Sequence, residues 1–412
     1  MSEFTLLTEH WPELIAGAST PSTRIQDIVA PATSDELCAV VQKAAQQPQK
    51  ILIAGRGSKL NWGGLVAEPT LLVSTAKLDR LIDHAVGDLT VTVEAGISFQ
   101  QLQQQLALAG QFLPLDPLFP DRSTIGGLIA TADTGSLRHR YGGVRDLLLG
   151  IHWVRADGVM AKSGGRVVKN VAGYDLMKLF TGSYGTLGIL QQVTLRVYPL
   201  PVASGSVWLT GAALPDLISQ LGASTLTPTA LDLISAGLAQ QLGLGEQMGL
   251  LARFQTIPES VHVQSQQLAE LAANLGLSSQ MHTGETETKI WEQVRPLIMA
   301  KPITAKIGVR ATAAVDILTN SVEQTGGWGV IHLGSGIGLI GCDESISNIQ
   351  ALLPLRRRCE QAGGFLTILT ASIAIKQQLE AWGYQGAAIQ VMRQLRQQFD
   401  PQALFNPGKL FT

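Results

Sequence analysis

Cysteine is scarce in this chain. Its 412 residues hold only Cys38, Cys342 and Cys359, with no C-x-x-C pair. That excludes a disulfide framework, and it excludes an iron–sulfur cluster held by this chain alone. Cys38, beside Ala39 and Val40 in a helical pattern, reads as a buried inert thiol. The 7 histidines are scattered, and no H-x-x-x-H or H-x-H pair suggests a metal site. Charge is sparse too, at 15%, and 30 Lys+Arg against 32 Asp+Glu leave a net −2 with no basic block. Such a chain has no electrostatic footprint for a nucleic acid. No apolar run approaches the ~18 residues of a membrane span. The first 17 residues, MSEFTLLTEHWPELIAG, carry acids but no Lys or Arg, unlike an export signal. A cytoplasmic chain without an integral membrane span is expected.

What the chain has is apolar residues (45%) and glycine (43 residues), in a length that suits roughly two to four structural units. Ser34 reads as the N-cap of a helix with Leu37, Val40, Val41 and Ala44 on one face. Lys50–Ala54, Leu71–Val73 and Leu89–Glu94 read as strands, Ser98 and Gln101 as a capping pair, and Gly110 as the following stop. Leu147–Ala156, a turn at Asp157-Gly158 and Leu187–Tyr198 continue the strand pattern, and Pro199-Leu-Pro201 marks a boundary. From about 205 to 395 strands alternate with longer helices, which suggests an α+β domain with a mostly antiparallel sheet.

Three segments carry chemistry. Gly55-Arg56-Gly57-Ser58-Lys59 follows an apolar strand, and its amides would suit a pyrophosphate, although an ordinary strand-end turn reads the same way. Residues 120–135, PDRSTIGGLIATADTG, are small, hydroxylated and glycine-rich, which suits a flat ligand or a buried turn equally. Residues 164–189 set two glycine-dense turns around a short helix, with Lys169 as a charge for an anionic ligand or a plain surface lysine. A rival signal, Gly336-Ile-Gly-Leu-Ile-Gly341, matches G-x-G-x-x-G but is followed by Cys342-Asp343, with no acid about 20 residues on. It reads as a glycine-lined hairpin.

Taken together, Ser-Thr-Ile-Gly-Gly at 123–127, Tyr-Gly-Gly-Val-Arg-Asp at 141–146, Val-Ala-Gly-Tyr-Asp-Leu at 171–176, Gly-Thr-Leu-Gly at 185–188 and the tail 399–409 resemble the vanillyl-alcohol-oxidase (PCMH-type) flavoproteins. Within that group the chain is similar to the FAD-binding subunits of glycolate oxidases. The resemblance implies an α+β fold with a two-lobed FAD domain at 1–203, a cap domain at 204–395 and a segment 396–412 returning to the FAD domain. It implies FAD, held non-covalently because residues 55–59 contain no histidine. The residues expected at FAD are Gly55, Arg56, Gly57, Ser58, Lys59, Pro120, Ser123, Thr124, Gly126, Gly127, Ala130, Thr131, Thr134, Gly188, Ile189 and Asn406.

Catalytic relatives read His-Gly-Asp-Gly-Asn-x-His where this chain has His332-Leu-Gly-Ser-Gly-Ile-Gly338, so His332 is expected to pack, not to bind a metal. Tyr184 stands where those relatives have an acid. Arg310 and His332 are the remaining catalytic candidates, and no base is assigned. The implied activity is oxidation of a small 2-hydroxy acid such as glycolate. Electrons would pass to an iron–sulfur subunit in a complex that also holds a catalytic flavoprotein subunit, so the isolated chain should oxidise glycolate slowly. A self-sufficient D-2-hydroxy-acid dehydrogenase and a structural or electron-transfer FAD subunit remain open alternatives.

Overall fold

A computed structural model describes residues 3–20, 25–47, 49–166, 174–323 and 326–410. Lys169 and Val171–Gly173 lie outside the described residues. The chain divides into two units, Met1–Thr134 with Gly142–Leu200 and Lys376–Thr412, and Gly135–Tyr141 with Pro201–Ile375.

The first unit has two lobes. In the smaller, Leu71–Ser74 lies between Asp27–Val29 and Ile51–Ala54 in a parallel sheet. Apolar side chains at successive positions are what a sheet covered on both faces requires, and the period of two sorts them. Ile51, Leu71 and Val73 join Leu37, Val41, Ala44 and Phe405, whereas Leu52, Ala54 and Leu72 join Trp11 and Val66. The helix over the first face spans Ser34–Gln46 and is capped by Thr33, not Ser34, whose hydroxyl accepts from Glu36 N at 3.2 Å.

The larger lobe is an antiparallel sheet ordered Leu81–Ala85, Thr90–Glu94, Ile189–Arg196, Leu148–Val154, Met160–Gly164. Asp157-Gly158 makes the expected turn, with Gly158 at φ +75°. Helices Phe99–Ala107 and Ile125–Thr131 contribute buried side chains to the same core. Ser98 caps the first as expected, accepting from Gln101 N at 3.1 Å.

The second unit is built on an eight-stranded sheet whose pairings are all antiparallel among the described residues. Its order is Ser278–Thr283, Ala203–Thr210, Gly249–Thr256, Ala230–Ile234, Trp328–His332, Ile337–Cys342, Ile303–Gly308, Phe365–Thr370. The α+β class with a mostly antiparallel sheet is therefore what the structure has. Gly336–Gly341 falls on a hairpin between Trp328–His332 and Ile337–Cys342, as read. The polar edge strand Ser278–Thr283 and helices Glu3–Ala18, Leu214–Ala223 and Gly284–Met299 are not in the sequence reading. The edge strand has one buried side chain, so it shows no alternation to read. Where the sequence reading ends the cap at 395, the second unit ends at Ile375, and the amphipathic helix Ala388–Phe399 belongs to the first.

The tail is secured by a buried carboxylate. Asp400 accepts from Leu404 N at 2.9 Å and Phe405 N at 2.7 Å, Leu404 O accepts from Ile51 N at 2.8 Å, and Phe405 is fully buried. Asp400→Ala leaves two buried N–H groups unsatisfied and is expected to cost about 2–3 kcal/mol, read as a lower urea midpoint at unchanged m-value.

Candidate functional site

A cleft of about 820 Å³ opens in the first unit, lined by residues 52–60, 124–131, 183–190 and the tail residues Asn406 and Lys409. One wall is the turn after strand Ile51–Ala54. Gly57 there has φ +77°, a conformation glycine adopts at no steric cost. Among the described residues the N–H groups of Gly57 and Ser58 find no acceptor. A Cβ at Gly55 would stand 2.2 Å from Thr124 Oγ1, so the first two glycine segments meet only because glycine is there. Thr124 caps its helix, accepting from Gly127 N at 3.2 Å.

Lys59 acts as a strut. Its ammonium donates to Ser123 Oγ at 2.5 Å and pairs with Asp133 at 3.3 Å, both partners being buried. Losing one partner of such a buried pair typically costs ~3–5 kcal/mol. The far end of the cleft is set by the tail. Asn406 accepts from Ile53 N at 2.8 Å and donates to Tyr184 O at 2.7 Å. The Tyr184 ring meets Trp382 edge-on with centroids 4.6 Å apart, and burial, followed by Asp133, drives its hydroxyl pKa upward.

The structure thus brings Gly55, Arg56, Gly57, Ser58, Lys59, Thr124, Gly126, Gly127, Ala130, Thr131, Gly188, Ile189 and Asn406 to one cleft. Pro120, Ser123 and Thr134 do not line it; Ser123 anchors Lys59, and Pro120 O accepts from Gln100 N at 3.0 Å. Lys409 and Ile53 line it and are missing from the sequence reading. The signal available for Lys409 was its place in the tail motif, which does not show that the ammonium turns inward.

Arg310 and His332 lie in the second unit. His332 is buried, as expected, but it is not merely packed. Its Nδ1 lies 2.8 Å from Asp232 Oδ1, and Ser136 donates to Asp232 Oδ2 at 2.5 Å. A carboxylate on Nδ1 fixes that nitrogen as an N–H donor and sets the orientation of the ring. Asp232 and Ser136 are absent from the sequence reading, although an acid amid Ala230-Leu-Asp-Leu-Ile234 was a visible anomaly. Beside this cluster, burial lowers the His139 pKa, with Asp232 opposing and Arg140 reinforcing the shift. Arg310 is exposed at a pocket walled by Gly308, Gly334, Gly336 and Gly363, and has no ion-pair partner among the described residues.

Residues 25–164 match the FAD binding domain model, and residues 375–410 match the C-terminal domain of FAD linked oxidases. In these two segments the chain is similar to the FAD-linked oxidases. FAD is its cofactor, and the cleft fits: open amides at Gly57 and Ser58 for the diphosphate, and Ile53, Val66, Ile189 and Leu190 as apolar wall for a flat ring. The chain is 27% identical to the Escherichia coli (strain K12) glycolate oxidase subunit GlcE over 92% of itself and 97% of that protein. It is 25% identical to the Bacillus subtilis (strain 168) glycolate oxidase subunit GlcD over 93% of itself and 88% of that protein. A mitochondrial D-lactate dehydrogenase [cytochrome] of Arabidopsis thaliana is 32% identical, but over 44% of this chain and 32% of its own length. In fold, the chain is similar to alkyldihydroxyacetonephosphate synthase, with TM-score 0.70 and 20% identity over 93% of this chain and 77% of that one. No helix among the described residues is long and apolar enough to cross a membrane.

Gly57→Asp is expected to abolish the flavin colour. Its carboxylate would oppose a phosphate by about 1–4 kcal/mol at ~4 Å. A Cβ there also meets Leu14 Cδ1 at 2.8 Å and Trp11 at 3.0 Å, so the thermal midpoint should fall as well. Gly57→Ala separates the two effects, losing stability with a smaller loss of FAD in an absorbance titration.

Proposed function

We propose that the chain is the FAD-binding subunit of a complex that oxidises a small 2-hydroxy acid, with glycolate as first candidate. The similarity to the GlcE subunit over nearly its whole length carries this reading. Bound non-covalently, FAD supplies the acceptor for the hydride leaving the CH–OH carbon. The chain's own residues hold and shield it: the Gly57 and Ser58 amides and Arg56 serve the diphosphate, and Asn406 fixes the Ile53 and Tyr184 walls.

Electrons would leave to an iron–sulfur subunit of a complex that also holds a catalytic flavoprotein subunit. The cysteines support an external acceptor. Burial pushes the Cys342 thiol up to about 11 and Cys359 up to about 12, opposite to the thiolate that cluster ligation requires. Burial, then Asp35, raises Cys38 as well.

A second reading, a self-sufficient 2-hydroxy-acid dehydrogenase, is favoured by the Asp232–His332 pair. His332 Nε2 would accept the substrate hydroxyl proton while Asp232 stabilises the imidazolium, and Arg310 would clamp the carboxylate. Anaerobic mixing of the FAD-loaded chain with millimolar glycolate separates the two. No bleaching of the flavin band within seconds, and rapid bleaching once the GlcD-type partner is added, is expected of the subunit. Rapid bleaching by the chain alone, slowed about 10²–10⁴-fold in His332→Gln, establishes the second reading instead.

A further inference from the structure

Two lysines of the first unit are buried in an unusual way. Lys409 is 4% exposed and lines the FAD cleft, its ammonium donating to Leu60 O at 2.6 Å. Lys376 is 8% exposed and donates to the neighbouring carbonyl, Asn61 O. Among the described residues neither has a carboxylate partner. An ammonium buried without an anion pays a desolvation cost that one carbonyl offsets only in part, so such a lysine sheds its proton. Trp382 donates from Nε1 to Lys409 O at 2.9 Å, and Gly64 packs against that same carbonyl.

The charge balance of the cleft shows what this arrangement is for. The other ionised groups facing it are Arg56 and Lys59, the latter matched by Asp133. Tyr184 stays neutral, Glu380 is turned to the N–H groups of Trp382 and Gly383, and Arg396 lies near the tail at Leu410 O, 3.4 Å away. With Lys409 neutral, these leave at most one positive charge, from Arg56, against the two negative charges of a diphosphate diester. A second cation is missing, and among the described residues the cleft-lining group able to become it is Lys409.

We propose that Lys409 is a proton-linked counter-charge, neutral in the free cleft and protonated from solvent when the diphosphate-bearing cofactor binds. Lys376 acts through it as a like charge that keeps the free amine deprotonated. The direction of both groups agrees: burial lowers Lys409 well below the ordinary lysine value, with Lys376 adding to the shift, and burial brings Lys376 down to about 8. The sign follows from linkage. Because the complex binds more protons than the free chain, FAD binds more tightly as pH falls, by up to about tenfold per pH unit between the free and bound pKa values. The inference rests on the FAD cleft and not on the substrate.

The test is calorimetric titration of FAD into the apoprotein between about pH 6 and 9, in buffers of different ionisation enthalpy. The wild type is expected to take up a proton, approaching one per FAD, with affinity falling as pH rises. Among the described residues no histidine lines the cleft to mimic this signal. Lys409→Arg keeps the charge permanently and should bind FAD with no proton uptake and a flat pH profile. Lys376→Met should shift the uptake to higher pH by raising the free Lys409 pKa. Lys409→Met should bind weakly or not at all, without uptake. Buffer-independent binding heat in the wild type, or unchanged proton uptake in Lys409→Arg, overturns the proposal.

Discussion

One side-chain amide ties the cofactor site together. Asn406 joins the N–H of Ile53 to the carbonyl of Tyr184, and Ile53 lies 353 residues before it in the chain. Both of its hydrogen bonds are to backbone groups, so it fixes the distance between two walls whatever side chains those walls carry. Asn406 itself sits at φ +41°, a left-handed conformation that asparagine tolerates better than most residues. The buried Asp400 cap and the fully buried Phe405 hold that residue in register with the strand Ile51–Ala54. Without this return the cleft would lack one side, and the glycine turn would face water.

Around that fixed frame, polar groups are divided between those committed to the protein and those left for a ligand. Lys59, Ser123, Asp133 and Thr124 all have internal partners, which makes them part of the scaffold although their types suggest ligand contacts. The Gly57 and Ser58 amides are left open. A preorganised set of backbone donors costs no side-chain entropy when the anion arrives. It also explains why a turn with little side-chain chemistry is the most informative part of the sequence.

In the second unit, the sheet register does similar work. Asp232 and His332 sit directly opposite one another on paired strands, which is why a carboxylate and an imidazole 100 residues apart meet at hydrogen-bond distance. Cross-strand neighbours interact by register alone. A buried polar pair on neighbouring strands fixes that register, since a one-residue slip would leave both groups buried without partners.

Much of the fold was legible locally. Alternating apolar residues marked the strands, Ser98 with Gln101 marked a helix start, and the glycine turn at 55–59 marked one wall of the cleft, because each is decided by a few neighbouring residues. Short-range rules erred by one residue at the Thr33 cap and missed the exposed edge strand Ser278–Thr283, where no hydrophobic period exists to read. Lys59 and Ser123 were read as cofactor-binding, but their bond to each other is invisible until the chain folds. The same holds for Asp232 beneath His332 and for Lys376 beside Lys409. The sequence by itself determined the flavin cleft's backbone, because glycine content and strand period are local properties. Only the tertiary structure decided which charged side chains are spent inside the protein and which remain for the cofactor, because that depends on burial and on partners hundreds of residues away.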